Sequence, residues 1–174
     1  MFRKESVDPF DCAGQFAKAL AGGVLLSTNG EKFNSMVIGW GHIGVIWGKP
    51  TVTVYVRESR YTKPQLDQTG AFTVSVPVEG TLSPEILRVC GSASGRDVDK
   101  AALFTLVPAE ENGVPGVLEA PLTLECRVLY AQEQVESAIP EELRARFYSG
   151  PNAGDAHTAY IGLIERAYVI RREG

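Results

Sequence analysis

Thr51-Val-Thr-Val-Tyr-Val-Arg57 is the most strand-like stretch of this sequence. β-Branched and aromatic residues fill it, and Pro50 immediately before it suits the start of a strand. The chain then changes character. Thr62 stands where it can cap a helix with Pro64 in the first turn, and Thr69-Gly70 closes that helix. Ala71-Phe-Thr-Val-Ser-Val76 returns to extended chain until Pro77 stops it.

The same alternation continues on both sides. Upstream, Phe10, Phe16, Ala17, Ala19 and Leu20 fall on one face of a short helix over residues 10–20, which Gly22-Gly23 ends. Val24-Leu-Leu-Ser-Thr28 and residues 33–39 read as two strands joined through the turn dipeptide Asn29-Gly30, a hairpin by sequence. Downstream, Ser83-Pro84-Glu85 has the polar cap, early proline and acidic first turn of a helix running to about Cys90. Residues 97–104 suggest another short helix, capped by Asp97, and residues 116–119 a further extended piece. Residues 122–135 and 159–171 suit long, bent strands, with a helix over 141–148 between them. Parallel strands need a crossover after nearly every strand, and this chain has too few helices for that. The expected fold is therefore mainly β, an antiparallel β-barrel with peripheral short helices.

With 174 residues, 44% of them hydrophobic and 22% charged, the chain can bury a core without staples. There is no repeat or Pro/Ser-rich linker, so one domain over residues 1–174 is expected. A net charge of -4 argues against nucleic acid as a partner. Cys12, Cys90 and Cys126 are odd in number and far apart, which fits neither a disulfide framework nor a zinc site, and a metal centre is not expected. They suit a reducing cytoplasm. The apolar runs fall short of a signal peptide or a membrane span, so a cytoplasmic protein without membrane contact is expected.

Arg57-Glu-Ser-Arg-Tyr-Thr-Lys63 is the densest group of cationic and hydroxyl side chains, and it runs from a strand end into a helix start. Free N–H groups there, the hydroxyls of Ser59 and Thr62 and the guanidinium groups of Arg57 and Arg60 are suited to a phosphate monoester. The same charges also fit a solvated strand end. Asn34-Ser-Met-Val-Ile-Gly-Trp-Gly-His-Ile-Gly-Val-Ile-Trp47 interleaves glycines and tryptophans with strand formers. Its bare backbone can receive a flat ligand with Trp40 as a wall, or form a bulged barrel corner with tryptophans in the core. Cys90-Gly-Ser-Ala-Ser-Gly-Arg-Asp97 lacks the lysine and spacing of a nucleotide-triphosphate loop, yet it can edge a pocket, with Lys100 one turn beyond. His42 suits a solvent-facing position. His157 lies just before the last strand, where it can donate to a ligand or serve no chemical role.

The joint order of Asn34-Ser-Met36, Gly39-Trp-Gly41, Val54-Tyr-Val-Arg-Glu-Ser-Arg-Tyr-Thr62, Cys90-Gly91, Ser94-Gly-Arg-Asp-Val-Asp-Lys100 and His157 with Tyr160-Ile-Gly162 resembles the flavin reductase-like family, and within it the flavoredoxins. The likeness runs from about Phe10 to about Arg171. It implies an FMN-binding split β-barrel and a homodimer. Asn34, Ser35, Met36 and Trp40 would lie near the isoalloxazine or ribityl chain. Arg57, Ser59, Arg60, Tyr61 and Thr62 would surround the phosphate, with Lys100 and His157 as further cofactor contacts. The sequence departs from the family pattern in two places: Leu163 stands where a glutamate is expected, and Ser92-Ala93 replaces a threonine-histidine pair.

The resemblance implies an oxidoreductase in which NADH or NADPH reduces bound FMN, which passes electrons to free flavin, a metal complex or a redox protein partner. No side chain is required as an acid or base, because the flavin carries the chemistry. Two alternatives share the fold: a non-catalytic FMN carrier for electron transfer, and an interaction barrel without cofactor.

Overall fold

A computed structural model describes residues 1–173. Its strands are β1 (Phe2–Ser6), β2 (Val24–Asn29), β3 (Phe33–Ile38), β4 (Gly41–Ile46), β5 (Lys49–Arg57), β6 (Ala71–Val76), β7 (Leu106–Val107), β8 (Gly116–Val117), β9 (Leu122–Glu133) and β10 (His157–Arg172). The helices α1 (Ala13–Ala19), α2 (Thr62–Thr69), α3 (Pro84–Ser92) and α4 (Glu141–Phe147) are short and lie between them. The fold is mainly β, as its strand-rich sequence implies.

All pairings are antiparallel, and the main sheet runs in the order β3-β2-β6-β9-β10-β5-β4. Its first and last strands, β3 and β4, are joined by Gly39 and Trp40 alone. From Ile38 to Gly41 the chain can span only about 10 Å, so the two ends of the sheet must curl together into a barrel. No ladder joins β3 to β4 among the described residues, and the barrel is split along that line.

Alternation along each strand fills the interior. Val24 and Leu26, Met36 and Ile38, Val52, Val54 and Val56, and Phe72, Val74 and Val76 meet Leu122, Leu124, Cys126, Tyr160 and Ile164 in one buried cluster. The outer face of β2 and β3 is covered instead by α3, where Leu25 and Phe33 pack with Leu82, Ile86 and Cys90. α3 starts as its sequence predicts, with Ser83 Oγ accepting from the Ile86 N–H at 3.3 Å.

β10 is the longest strand and one of its edges is shared, pairing first with β5 and then with β1, while β9 follows the other edge. Register shifts at Ile161/Gly162 and Ile164/Arg166 let it bend. Neither β1 nor β4 was expected from the sequence. The β4–β5 hairpin turns on Trp47 and Gly48, whose φ values of 52° and 69° match a type I′ turn, a conformation that tryptophan seldom adopts. Two helix expectations also change. Thr62 is the first residue of α2 and makes no capping bond, because its hydroxyl is bonded to Asn34 instead. Residues 97–104 hold only a 3₁₀ turn, Lys100–Leu103, capped by Asp99 rather than Asp97, since the Asp97 and Val98 N–H groups both turn back to the Ser94 carbonyl.

Gly162 lies at the first of the register shifts in β10 and is packed closely against the core. A Cβ at that position would overlap the ring of Phe72, which is fully buried. Gly162→Ala is expected to cost about 1–3 kcal/mol through overpacking, read as a lower urea midpoint. An unchanged midpoint would mean that Phe72 has room to move.

Candidate functional site

Strand parity decides what faces the split. In the β5–β10 ladder Arg57 stands directly opposite His157, so both side chains leave the same face of the sheet. Arg57, Arg60 and His157 line a slot of about 170 Å³ with Met36, Trp40 and Tyr55. Beside it lies a larger cavity of about 770 Å³, lined by Asn34, Met36, residues 57–62, the 92–96 loop, Lys100 and the segment around Asn152 and Asp155. Met36, Arg57 and Arg60 border both spaces.

The sequence-derived residues therefore gather in one place, with one exception. Ser35 points to the other face of β3, where its hydroxyl meets Ser27 Oγ at 3.1 Å. What Ser35 gives the site is its carbonyl, which accepts from Lys100 Nζ at 2.8 Å. Asn34 reaches α2 directly, its Nδ2 donating to Thr62 Oγ1 at 2.9 Å. Asn34 Oδ1 is buried with no hydrogen-bond partner. The loop above it must carry glycine at position 95, because a Cβ there would overlap that oxygen and the ring of Tyr61.

The cations of the large cavity are anchored by neutral groups. Arg57 donates to the carbonyls of Asp155 at 2.7 Å and Phe147 at 2.9 Å. Arg60 donates to the Gly91 carbonyl at 3.0 Å, and Arg96 lies 5.0 Å over the Tyr61 ring. Among the described residues none of Arg57, Arg60, Arg96 and Lys100 forms an ion pair. The two carboxylates lining the cavity are engaged elsewhere. Asp155 accepts from the Ser59 N–H and hydroxyl at 2.9 and 2.7 Å, while Glu58 pairs with Lys63 and accepts from Thr158. At the start of α2, the Tyr61 and Thr62 N–H groups find no backbone acceptor among the described residues. Uncompensated positive charge, free amides at a helix start and an orphan amide oxygen form a donor-rich pocket for an anion with polar attachments.

At the other end the walls are aromatic. Trp40, 38% exposed, lies 4.7 Å from the His157 ring at a tilt of 41° and meets Phe147 edge-on at 5.3 Å. A slot edged by an indole, an imidazole and exposed strand backbone suits a flat heterocycle.

A family model described as the flavin reductase like domain matches residues 17–174. The chain belongs to the flavin reductase-like family. Among solved structures it is similar to flavoredoxin from Methanosarcina acetivorans, at 26% identity over 87% of this chain and 68% of that one, with a TM-score of 0.62. Flavoredoxin of Desulfovibrio vulgaris (Miyazaki F) is similar at 27% identity over 84% and 68%, with a TM-score of 0.60. An FMN-binding domain of a flavin reductases-like enzyme from Shewanella baltica OS155 shares the fold at 21% identity over 96% and 77%, with a TM-score of 0.61. These likenesses agree with the split barrel.

Within this family fold, several lining residues escaped the sequence reading. Glu58 was passed over among its cationic neighbours, and Asp155 and Asn152 sit in a Gly/Pro/Asn loop that resembles any surface turn. The signal that could have found them is position: the loop leads straight into β10, whose first residue faces Arg57. Tyr148 and Gln134, which hold His157, carry no local signal at all.

The cationic walls leave a mark on the titratable groups. Burial pulls the Lys100 ammonium below the ordinary lysine range; the Cys90 thiol opposes this and Arg60 adds to it. His157 is only 7% exposed, and burial, helped by Arg57 and Arg60 against Asp155, lowers its pKa from 6.5 to about 4. The unfolded chain therefore takes up a proton at His157 between those values that the folded chain refuses. Stability of the flavin-free protein should fall as pH drops from 6.5 towards 4, by about 3 kcal/mol at most from this residue. Chemical denaturation at a series of pH values checks this, and His157→Gln should flatten the dependence in that window.

Proposed function

We propose that the chain is an FMN-binding oxidoreductase whose large cavity takes the phosphate and ribityl chain and whose Trp40 slot takes the isoalloxazine ring. The observation that carries this reading is the continuity of the two spaces through Met36, Arg57 and Arg60, with unpaired cations at one end and aromatic walls at the other. Arg60, Lys100 and Arg96 would face the phosphate together with the α2 amides. Arg57 would act mainly by holding the 147–155 segment in place, since its donors already bind carbonyls there. Asn34 Oδ1 would accept from a ribityl hydroxyl, and Trp40 and His157 would flank the ring. Bound there, FMN would supply hydride and electron transfer, while the protein binds, orients and tunes it electrostatically.

In this reading the described residues act as one flavin-binding domain and NADH or NADPH is the reductant. A dinucleotide fold is not needed if the nicotinamide stacks directly on an exposed face of the ring. Anaerobic addition of NADH or NADPH to the yellow protein should bleach its visible band. Persistent colour with both nucleotides, combined with rapid bleaching by a reduced redox protein, would select the second reading, a non-catalytic electron-transfer flavoprotein. That reading is favoured by the two flavoredoxins, which share more identity with this chain than the Shewanella domain does.

A homodimer and a cytoplasmic setting belong to the proposal as well. Val45 and Trp47 expose apolar surface on the β4–β5 hairpin, which would suit a second copy. Three free, buried cysteines suit a reducing compartment. Light scattering on eluting protein measures the mass.

For the phosphate end, Arg60→Ala should weaken FMN by about 1.5–3 kcal/mol through loss of charge-assisted bonds. Quenching of FMN fluorescence measures the affinity, and an unchanged Kd would remove Arg60 from the site.

A further inference from the structure

We infer that Gln134, acting through Tyr148, fixes which nitrogen of His157 carries its proton and so presents a bare Nε2 as hydrogen-bond acceptor to the ring bound in the Trp40 slot. The inference rests on the flavin reading above. Three elements converge to make it: Gln134 follows β9, Tyr148 follows α4 and His157 opens β10. Tyr148 Oη donates to Gln134 Oε1 at 2.8 Å and lies 3.0 Å from His157 Nδ1. A phenol has a single proton. Having given it to Gln134, the Tyr148 oxygen can only accept, so the proton between Tyr148 and His157 belongs to Nδ1.

The ring is buried beside Arg57 and Arg60, an environment that keeps it neutral, and a neutral imidazole has one N–H. Nε2 is therefore a lone pair, and it finds no partner among the described residues. The relay is held at both ends. The Gln134 N–H donates to the His157 carbonyl at 2.9 Å, and Tyr148 stands edge-on to the imidazole at 5.6 Å and 90°. Gln134 and Tyr148 are positioning residues, since they touch the ring only through His157.

The direction of the relay has a chemical consequence. A reduced isoalloxazine carries an N–H where the oxidised ring has a lone pair. An acceptor facing that nitrogen would favour the reduced ring, whereas a donor facing it would favour the oxidised one. Reversing the relay should move the potential of the bound flavin downwards.

Side-chain ¹⁵N shifts of His157 in flavin-free protein near neutral pH read the tautomer directly. The wild type should show a protonated Nδ1 and a bare Nε2. Gln134→Glu, which can only accept, should keep that pattern. Gln134→Leu should free the Tyr148 proton to turn to Nδ1 and move the imidazole proton to Nε2. With FMN added, the wild-type Nε2 resonance should shift, and the flavin midpoint potential of Gln134→Leu should lie below that of the wild type. A protonated Nε2 in the wild type, or a retained Nδ1 proton in Gln134→Leu, overturns the relay. A reversed tautomer with an unchanged potential overturns its action on the flavin. Failure of every form to bind FMN overturns the flavin reading itself, and the tautomer result in flavin-free protein still decides the relay.

Discussion

The two-residue link Gly39-Trp40 is the constraint on which the rest of this molecule depends. It joins the first and last strands of a long antiparallel sheet, and so short a tether leaves the sheet no choice but to close on itself. Closure without a ladder between β3 and β4 leaves an opening lined by backbone and by the side chains at the strand ends. Trp40 sits on the tether, Met36 comes from β3, and Tyr55 and Arg57 come from β5. The same feature that closes the barrel thus creates its slot, and the aromatic wall belongs to the tether.

What surrounds that slot is fixed by register rather than by loops alone. A one-residue slip of β10 against β5 would turn His157 into the core and carry Tyr160, now buried inside, to the outer face. The buried hydroxyl of Tyr160 donates to Asp67 at 2.6 Å, which ties the register to α2, the helix that begins at the anion pocket. Core packing, helix placement and site geometry are therefore one arrangement. Arg57, Arg60 and Lys100 are oriented by main-chain carbonyls, so their charge is directed without being neutralised.

How much of this could be read in the sequence follows from how local each signal is. The β2–β3 hairpin lies where Asn29-Gly30 suggests it, but Asn29 pairs with Phe33, the loop is residues 30–32 and neither Asn29 nor Gly30 takes the positive φ of an Asn-Gly turn; Ser83-Pro84-Glu85 specifies a helix start by capping where expected. The 57–62 cluster was legible because strand end, hydroxyls and cations are adjacent in sequence. β1 was not, since Phe2–Ser6 is largely exposed and its strand partner is the far half of β10. β4 was hidden by glycines at 41 and 44 and by a tryptophan in a turn that usually takes asparagine or glycine. Ser35 misled because a motif names adjacent residues, whereas a strand sends adjacent residues to opposite faces. Asp155, Tyr148 and Gln134 join the site only through the pairing of distant segments.

The pocket gathers several costs at one place. Arg60 and Lys100 repel each other across a partly buried space, Asn34 Oδ1 is desolvated without a donor, and His157 is kept from protonation partly by Arg57 and Arg60. On the proposed flavin reading, a single phosphorylated ligand would offset the cations with its anion and would bring a hydroxyl donor to the amide oxygen. Relief of that kind makes binding and folding stability two aspects of the same free energy, so that stability rises with ligand concentration relative to Kd. It also couples the two ends of the site. An anion bound in the large cavity would weaken the field of Arg57 and Arg60 and so raise the proton affinity of His157 in the adjoining slot.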